Sequence, residues 1–259
     1  MSFRPVFIAV VVAFGLIVSA FLINRARPRT ETDQPSADFV RASGKCAECH
    51  TRQQYSVVHE YEMSRHAQKG VNCLDCHQPG ANQQGRERNG FTIVTKLTAG
   101  NCRGCHEPIY QEYLHSRHAA VSWAAVFGEK SLQPEQVDFA ERFQPGYARR
   151  PPHPFVTLEG PSAMTSGCGN CHSIGRPNDD GTIGTCTSCH TWHTSSVALA
   201  RLPTTCGQCH LGPDHSQLEI YEESKHGMMF RAQEHLLKLD APPRTLTTRD
   251  MFIPTCATC

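Results

Sequence analysis

The chain has 259 residues, 39% of them hydrophobic and only 8% aromatic, so side chains alone furnish a lean core for one or two domains. Its formal charge is +1, from 25 Lys+Arg against 24 Asp+Glu, and no basic stripe stands out, which excludes the footprint of a nucleic-acid binder. What composition does not explain is the presence of 14 cysteines, which need a specific use.

The run PVFIAVVVAFGLIVSAFLI, Pro5 to Ile23, is uncharged and is followed by Arg25, Arg27 and Arg29. A run of that length just spans a bilayer and is long for a signal h-region, so residues 1–28 are expected to be a retained transmembrane anchor. The alternative is a signal segment cleaved near Val18-Ser19-Ala20, leaving a soluble periplasmic protein. Residues 29–45, beginning RTETDQPSAD, are expected to form a polar linker to a single domain over 46–259.

That domain opens on Cys46-x-x-Cys49-His50, and the pattern returns at Cys73-Cys76-His77, Cys102-Cys105-His106, Cys168-Cys171-His172, Cys186-Cys189-His190 and Cys206-Cys209-His210. A seventh pair, Cys256 and Cys259, closes the sequence without its His, so the chain is expected to be a fragment. Zinc sites and disulfides also use closely spaced cysteines. Neither requires a His directly after each pair; haem c attachment does, with two thioethers and a proximal imidazole on iron. His makes up 15 of 259 residues, so composition does not put it there six times. Haem c, attached on the exported side of bacterial membranes, places the body in the periplasm, although the three Arg after the span argue the opposite by the positive-inside rule. The expected fold is mainly α, with short helices and loops packed around haems and an apoprotein that is largely disordered. Arg103, Arg117, Arg149 and Arg150 are expected to pair with propionates or lie solvated.

Between the third and fourth motifs, Glu107 to Gly167 carries none. Its centre, PGYARRPPHPFVTLEGP, reads as too proline-rich for helix and is expected to be an extended loop over the haems, with His153 a distal-ligand candidate. The segment from Pro108 reads as helical. Tyr-x-x-Ser-[Arg/Lys]-His-[Ala/Gly] occurs three times, at Tyr61, Tyr113 and Tyr221. Helices leaving the attachment sites are expected to present His66, His118 and His226 near their far ends, as distal ligands to neighbouring haems. His193, three residues after His190, is a further distal candidate, with His59 behind it; His115 and His235 read as surface residues. Asp214 and His215 follow a Gly-Pro turn and are suited to place an acid and a base over an open iron; otherwise Asp214 caps a helix starting near Ser216 and His215 is a ligand.

The runs CGNCHSIGRPNDDGTIGTCTSCHTWH, ARLPTTCGQCHLGPDHSQLEIYEESKHG and PTCATC closely resemble the octahaem hydroxylamine oxidoreductases over about 167–259, and more loosely before that. The resemblance implies a helical haem-packed domain, a homotrimer, eight haems and a catalytic fourth haem without a protein distal ligand. In this sequence that haem falls on Cys168, Cys171 and His172, with Asp214 and His215 in its distal pocket. It further implies a small nitrogenous substrate (hydroxylamine oxidised, or nitrite or hydroxylamine reduced) and a cytochrome or quinone-linked redox partner. The C-terminal Tyr that oxidising members cross-link to the catalytic haem has no counterpart here. The alternative is a membrane-tethered electron carrier with no substrate of its own.

Overall fold

The computed structural model describes residues 37–258, together with 14–15 and 18–19. The expected anchor and cleavage site therefore lie largely outside the described residues, as does Cys259; among those described, no helix is long and apolar enough to cross a membrane. Contacts divide the chain into Met1–Asp38 and Phe39–Cys259, and the second unit holds all seven Cys-x-x-Cys pairs.

The second unit is mainly helical. Helix α1 (Ala37–Gln53) begins within the stretch expected to be linker and breaks its regular backbone at Gly44. It is followed by α2 (Tyr55–Glu62), α3 (Arg65–Gln68) and α4 (Cys73–His77). The one sheet among the described residues is an antiparallel hairpin, β1 (Arg86–Arg88) and β2 (Phe91–Ile93). Its turn, Asn89-Gly90, takes positive φ at both positions (50° and 85°), as a two-residue hairpin turn requires. Helices α5 (Ala99–Leu114), α6 (Ala120–Phe127), α7 (Pro134–Phe143), α8 (Pro154–Ser166) and α9 (Gly169–His172) come next. The last are α10 (Val197–Ala200), α11 (Pro203–Cys206), α12 (Gln217–Glu223) and α13 (Lys225–Gln233).

The helices are short and start on local signals. Asn72 accepts from the Leu74 and Asp75 amides while Asp75 accepts from the Asn72 amide, a reciprocal cap that starts α4 at Cys73. Thr98 and Asn101 do the same for α5, whose backbone departs from helix at His106, just ahead of Pro108. The segment from Pro108 is thus helical, as its sequence suggests.

Within Glu107–Gly167 the expected loop over the proline-rich centre is overturned in part: residues 145–153 lie outside any helix, but Pro154–Ser166 form α8, and α6 and α7 precede it. The prolines of these helices sit where helices tolerate them. Pro134 and Pro154 open their helices, where the missing N–H costs nothing, and Pro161 restarts α8 after Gly160 breaks the backbone at φ 82°.

Side-chain cores are small. The largest joins Ala119, Ala120, Val121, Ala124, Leu132, Val137, Ala140, Ala148 and Ile183, with Tyr113, Leu114 and Trp123 against it. Two others centre on Ala47 with Val58 and on Phe230 with Leu237 and Ile253. Glycine permits one close approach: a β-carbon on Gly175 would lie 1.9 Å from the Ala119 carbonyl oxygen, so the Ser173–Gly175 turn packs backbone to backbone against the start of α6.

Candidate haem sites

Where a Cys-x-x-Cys-His lies on a turn of helix, residues three apart share one face and His follows directly. The second motif fills α4, the third lies in α5, the fourth spans Cys168 into α9, and the sixth begins at the end of α11. The fifth and seventh lie on 3-10 turns at Cys186–Ser188 and Cys256–Thr258. All thirteen described cysteines are free thiols, and none is given to a disulfide. Among the described residues no three His, Cys, Asp or Glu donors converge on a point that could hold a metal ion.

Thiols of different motifs lie close enough to interact electrostatically: Cys46 with Cys73, Cys102 with Cys186, Cys171 with Cys209, and Cys206 with Cys256. Burial pushes Cys73, Cys206 and Cys209 up to about 11, so they are held as neutral thiols. These contacts fix which attachment sites are neighbours.

Three of the imidazoles following the motifs are oriented through Nδ1. That atom lies 2.7 Å from the Val94 carbonyl oxygen in His77, 2.7 Å from that of Ser122 in His172, and 3.3 Å from Gln217 Oε1 in His210. A proton placed there leaves Nε2 with its lone pair, the form that binds metal. His50 Nδ1 is buried without a partner. Beside it, Lys45, Arg52 and Arg88 line a cavity of about 280 Å³ with Cys46, Cys49 and the hairpin residues Phe91 and Ile93. Thiols, imidazole, an apolar hairpin wall and cations suited to carboxylates make that cleft chemically fit for a haem with its propionates.

Facing imidazoles supply a second test of fit. An imidazole nitrogen binds a metal at about 2 Å, so two rings on opposite sides of one ion have centroids roughly 6 Å apart. His106 pairs with His66 at 6.0 Å, His77 with His193 at 6.2 Å, and His210 with His118 at 6.0 Å. His215 stands 6.4 Å from His172 and 6.2 Å from His210. Burial, followed by the neighbouring imidazole, lowers the pKa of His66, His118 and His193, favouring the neutral ring; burial also lowers that of His190.

The Tyr-x-x-Ser-x-His repeat is a helix break, which corrects the expected position of its His. Ser64 ends one helix region and caps the next by accepting from the Ala67 amide, and Ser224 accepts from the Gly227 amide. His66 and His226 consequently lie at the start of α3 and α13, not at a helix's far end, while His118 lies in the turn before α6. The tyrosines hold other attachment segments: Tyr61 donates to the Val71 carbonyl and Tyr221 to that of Pro254 at 3.0 Å, each two residues before a motif cysteine. Tyr113 donates to Ile174 and lies against Gly184, two residues before Cys186. These tyrosines, and Gln217 on His210, escaped the sequence reading; the recurrence of Tyr in the repeat was the available signal.

The remaining candidates are placed as follows. His226, His59 and His153 stand in no imidazole pair among the described residues. His153 caps α8, its Nδ1 accepting from the Phe155 amide at 3.3 Å. His115 packs between Phe139 and Phe143. Asp214 and His215 are both exposed, with His215 Nδ1 2.5 Å from the Asp214 backbone oxygen. Ser216, not Asp214, occupies the cap of α12, and no side chain bonds there. Arg103 and Arg149 pair with Glu107 and Asp138, and Arg117 and Arg150 lie over the Tyr147 ring.

Comparison with known proteins adds three findings. A family described as "seven times multi-haem cytochrome CxxCH" matches residues 69–259. The chain is 28% identical over 228 residues to a probable nitrite reductase-hydroxylamine oxidoreductase fusion protein of Kuenenia stuttgartiensis, a match covering 83% of this chain and 25% of the relative. In solved structures it resembles a hypothetical multiheme protein (TM-score 0.65, 21% identity, 91% of this chain and 54% of the other) and the reducing HAO-like protein complex of the same organism (TM-score 0.53, 23% identity, 88% and 43%). The chain thus spans a quarter of the curated relative and about half of each solved chain.

Proposed function

The chain belongs to the multihaem c-type cytochromes with Cys-x-x-Cys-His attachment, and we propose that it is a periplasmic oxidoreductase of small nitrogen compounds, N-terminally anchored in the membrane. It binds haem c covalently through its motif cysteines. Haem c, when bound, supplies iron that exchanges electrons singly and, where one face is open, a position for hydroxylamine or nitrite.

The observation that carries the enzymatic reading is exposed His215, its ring centroid 6.4 Å from that of His172, with exposed Asp214 beside it in the chain. Cys168 and Cys171 hold the site, and the Ser122 carbonyl fixes the His172 ring. A hydrogen bond donated from His215 Nδ1–H to the Asp214 backbone carbonyl leaves Nε2 free to take or return a substrate proton. The Asp214 carboxylate shares that proton work. His66, His118 and His193 close the sites of His106, His210 and His77, and so assign them to relay. The thiol contacts order the relay: the Cys171 site adjoins the Cys209 site, which adjoins the seventh motif through Cys206 and Cys256.

This assignment agrees with the similarity to a nitrite reductase-hydroxylamine oxidoreductase fusion, and a redox-protein partner is in keeping with the HAO-like complex. A homotrimer rests on the sequence resemblance alone. His215→Ala should abolish hydroxylamine oxidation and nitrite or hydroxylamine reduction while haem content and low-spin spectra persist. Loss of one low-spin haem in that variant would instead make His215 a ligand. The 6.4 Å spacing of His172 and His215, close to that of the other pairs, supports this second reading, in which the protein is an electron carrier with every iron closed.

A further inference from the structure

His193 differs from the other oriented imidazoles in what its Nδ1 meets. The acceptors beside His77, His172, His210 and His215 are neutral: three backbone carbonyls and the Gln217 amide oxygen. Nδ1 of His193 instead lies 3.7 Å from a carboxylate oxygen of Glu60, within ion-pair reach, on a side chain only 44% exposed. The His193 ring centroid lies 6.2 Å from that of His77.

Glu60 is fixed relative to that same attachment site. It lies in α2, whose next residue, Tyr61, donates to the Val71 carbonyl two residues before Cys73, while Val58 buries the helix against Ala47. One helix therefore grips the second motif through a phenol and sets a carboxylate behind the imidazole facing it. The other copies of the repeat lack this arrangement. Glu112, before Tyr113, is bound by Arg244, and Ile220, before Tyr221, is apolar and 65% exposed.

A carboxylate held beside the outer nitrogen of a metal-bound imidazole adds negative charge near the metal and makes that ligand more basic. Both effects stabilise ferric over ferrous iron. Taking His193 as the ligand read above, we propose that Glu60 is a positioning residue that, through His193, lowers the potential of the haem at Cys73 and Cys76. Since Cys73 adjoins Cys46, and Cys76 lies near Cys102, that haem sits between the first and third. Glu60 then drives electrons from it toward those neighbours.

The test is a spectroelectrochemical titration of the haem-loaded chain. Glu60→Gln, which keeps the shape and removes the charge, should move one midpoint to more positive potential and leave haem content and the low-spin spectrum unchanged. Glu112→Gln, the same change at a carboxylate held by Arg244, should move none. His193→Ala separates the two assumptions, since it should convert one low-spin haem to high spin. If it does and Glu60→Gln leaves every midpoint in place, the ligand stands and the Glu60 proposal falls. If His193→Ala leaves all low-spin haems intact, the ligand reading fails and takes the proposal with it.

Discussion

Residues 119–148 and residues 186–215 are of equal length and built in opposite ways. The first carries no haem motif and buries Ala119, Ala120, Val121, Ala124, Leu132, Val137, Ala140 and Ala148. The second carries two motifs and buries no apolar side chain but Pro203; Trp192 is 73% exposed, and Leu199 and Leu211 are exposed as well. Where the chain lacks motifs it makes a core from its own side chains, and where motifs crowd it leaves apolar surface for a porphyrin to cover. Haem is thus a packing element in one region and a neighbour in the other.

Removing haem breaks this contrast most severely. Chain produced without haem attachment should lose most of its far-ultraviolet helical signal, with slow amide exchange surviving only within about 119–148; protection equal in both regions would contradict the comparison. Next in size is Asp180, at the junction. It accepts from Thr98 Oγ1 at 2.5 Å and Gln83 Nε2 at 3.2 Å, and from the Thr182 hydroxyl and amide, so it ties the segment ending at Ile183 to the start of α5. Hydrogen bonds to a charged group contribute roughly 2 kcal/mol, so Asp180→Ala should destabilise the loaded protein by about that amount in a denaturant melt.

Burial pushes the Asp180 carboxyl up, but the bonds from Thr182 and Thr98 outweigh it and hold it below the ordinary aspartate value. Its contribution is therefore complete above the unfolded-state pKa of about 4 and is lost as pH falls through the lower folded value. Asp180→Asn should remove that part of the acid-side loss, which a series of melts below pH 5 would detect. The smallest effect belongs to the repeat. Ser224→Ala removes a side-chain cap from α13 and should cost about 1 kcal/mol, whereas Ser116→Ala, at a position that caps no helix, should cost less.

The attachment sites were legible because thioether chemistry demands fixed spacing, and the mainly helical architecture followed from them. His66, His118 and His193 were legible as ligands in waiting, yet which imidazole each would face was not: those pairings join residues 40, 92 and 116 positions apart in the chain. Helix α8 was hidden by prolines that a composition reading counts as breakers, although Pro154 stands at its first turn. Glu60 was invisible for a related reason, since a carboxylate in a surface helix has no sequence mark of the ring it will meet.

The central claim, closed haems for relay and one open for chemistry, is tested most directly by electron paramagnetic resonance of the fully loaded ferric protein with and without hydroxylamine or nitrite. Low-spin signals are expected together with a high-spin component that shifts when the nitrogen compound is added. A spectrum that is low-spin throughout and unmoved by either compound would contradict that claim.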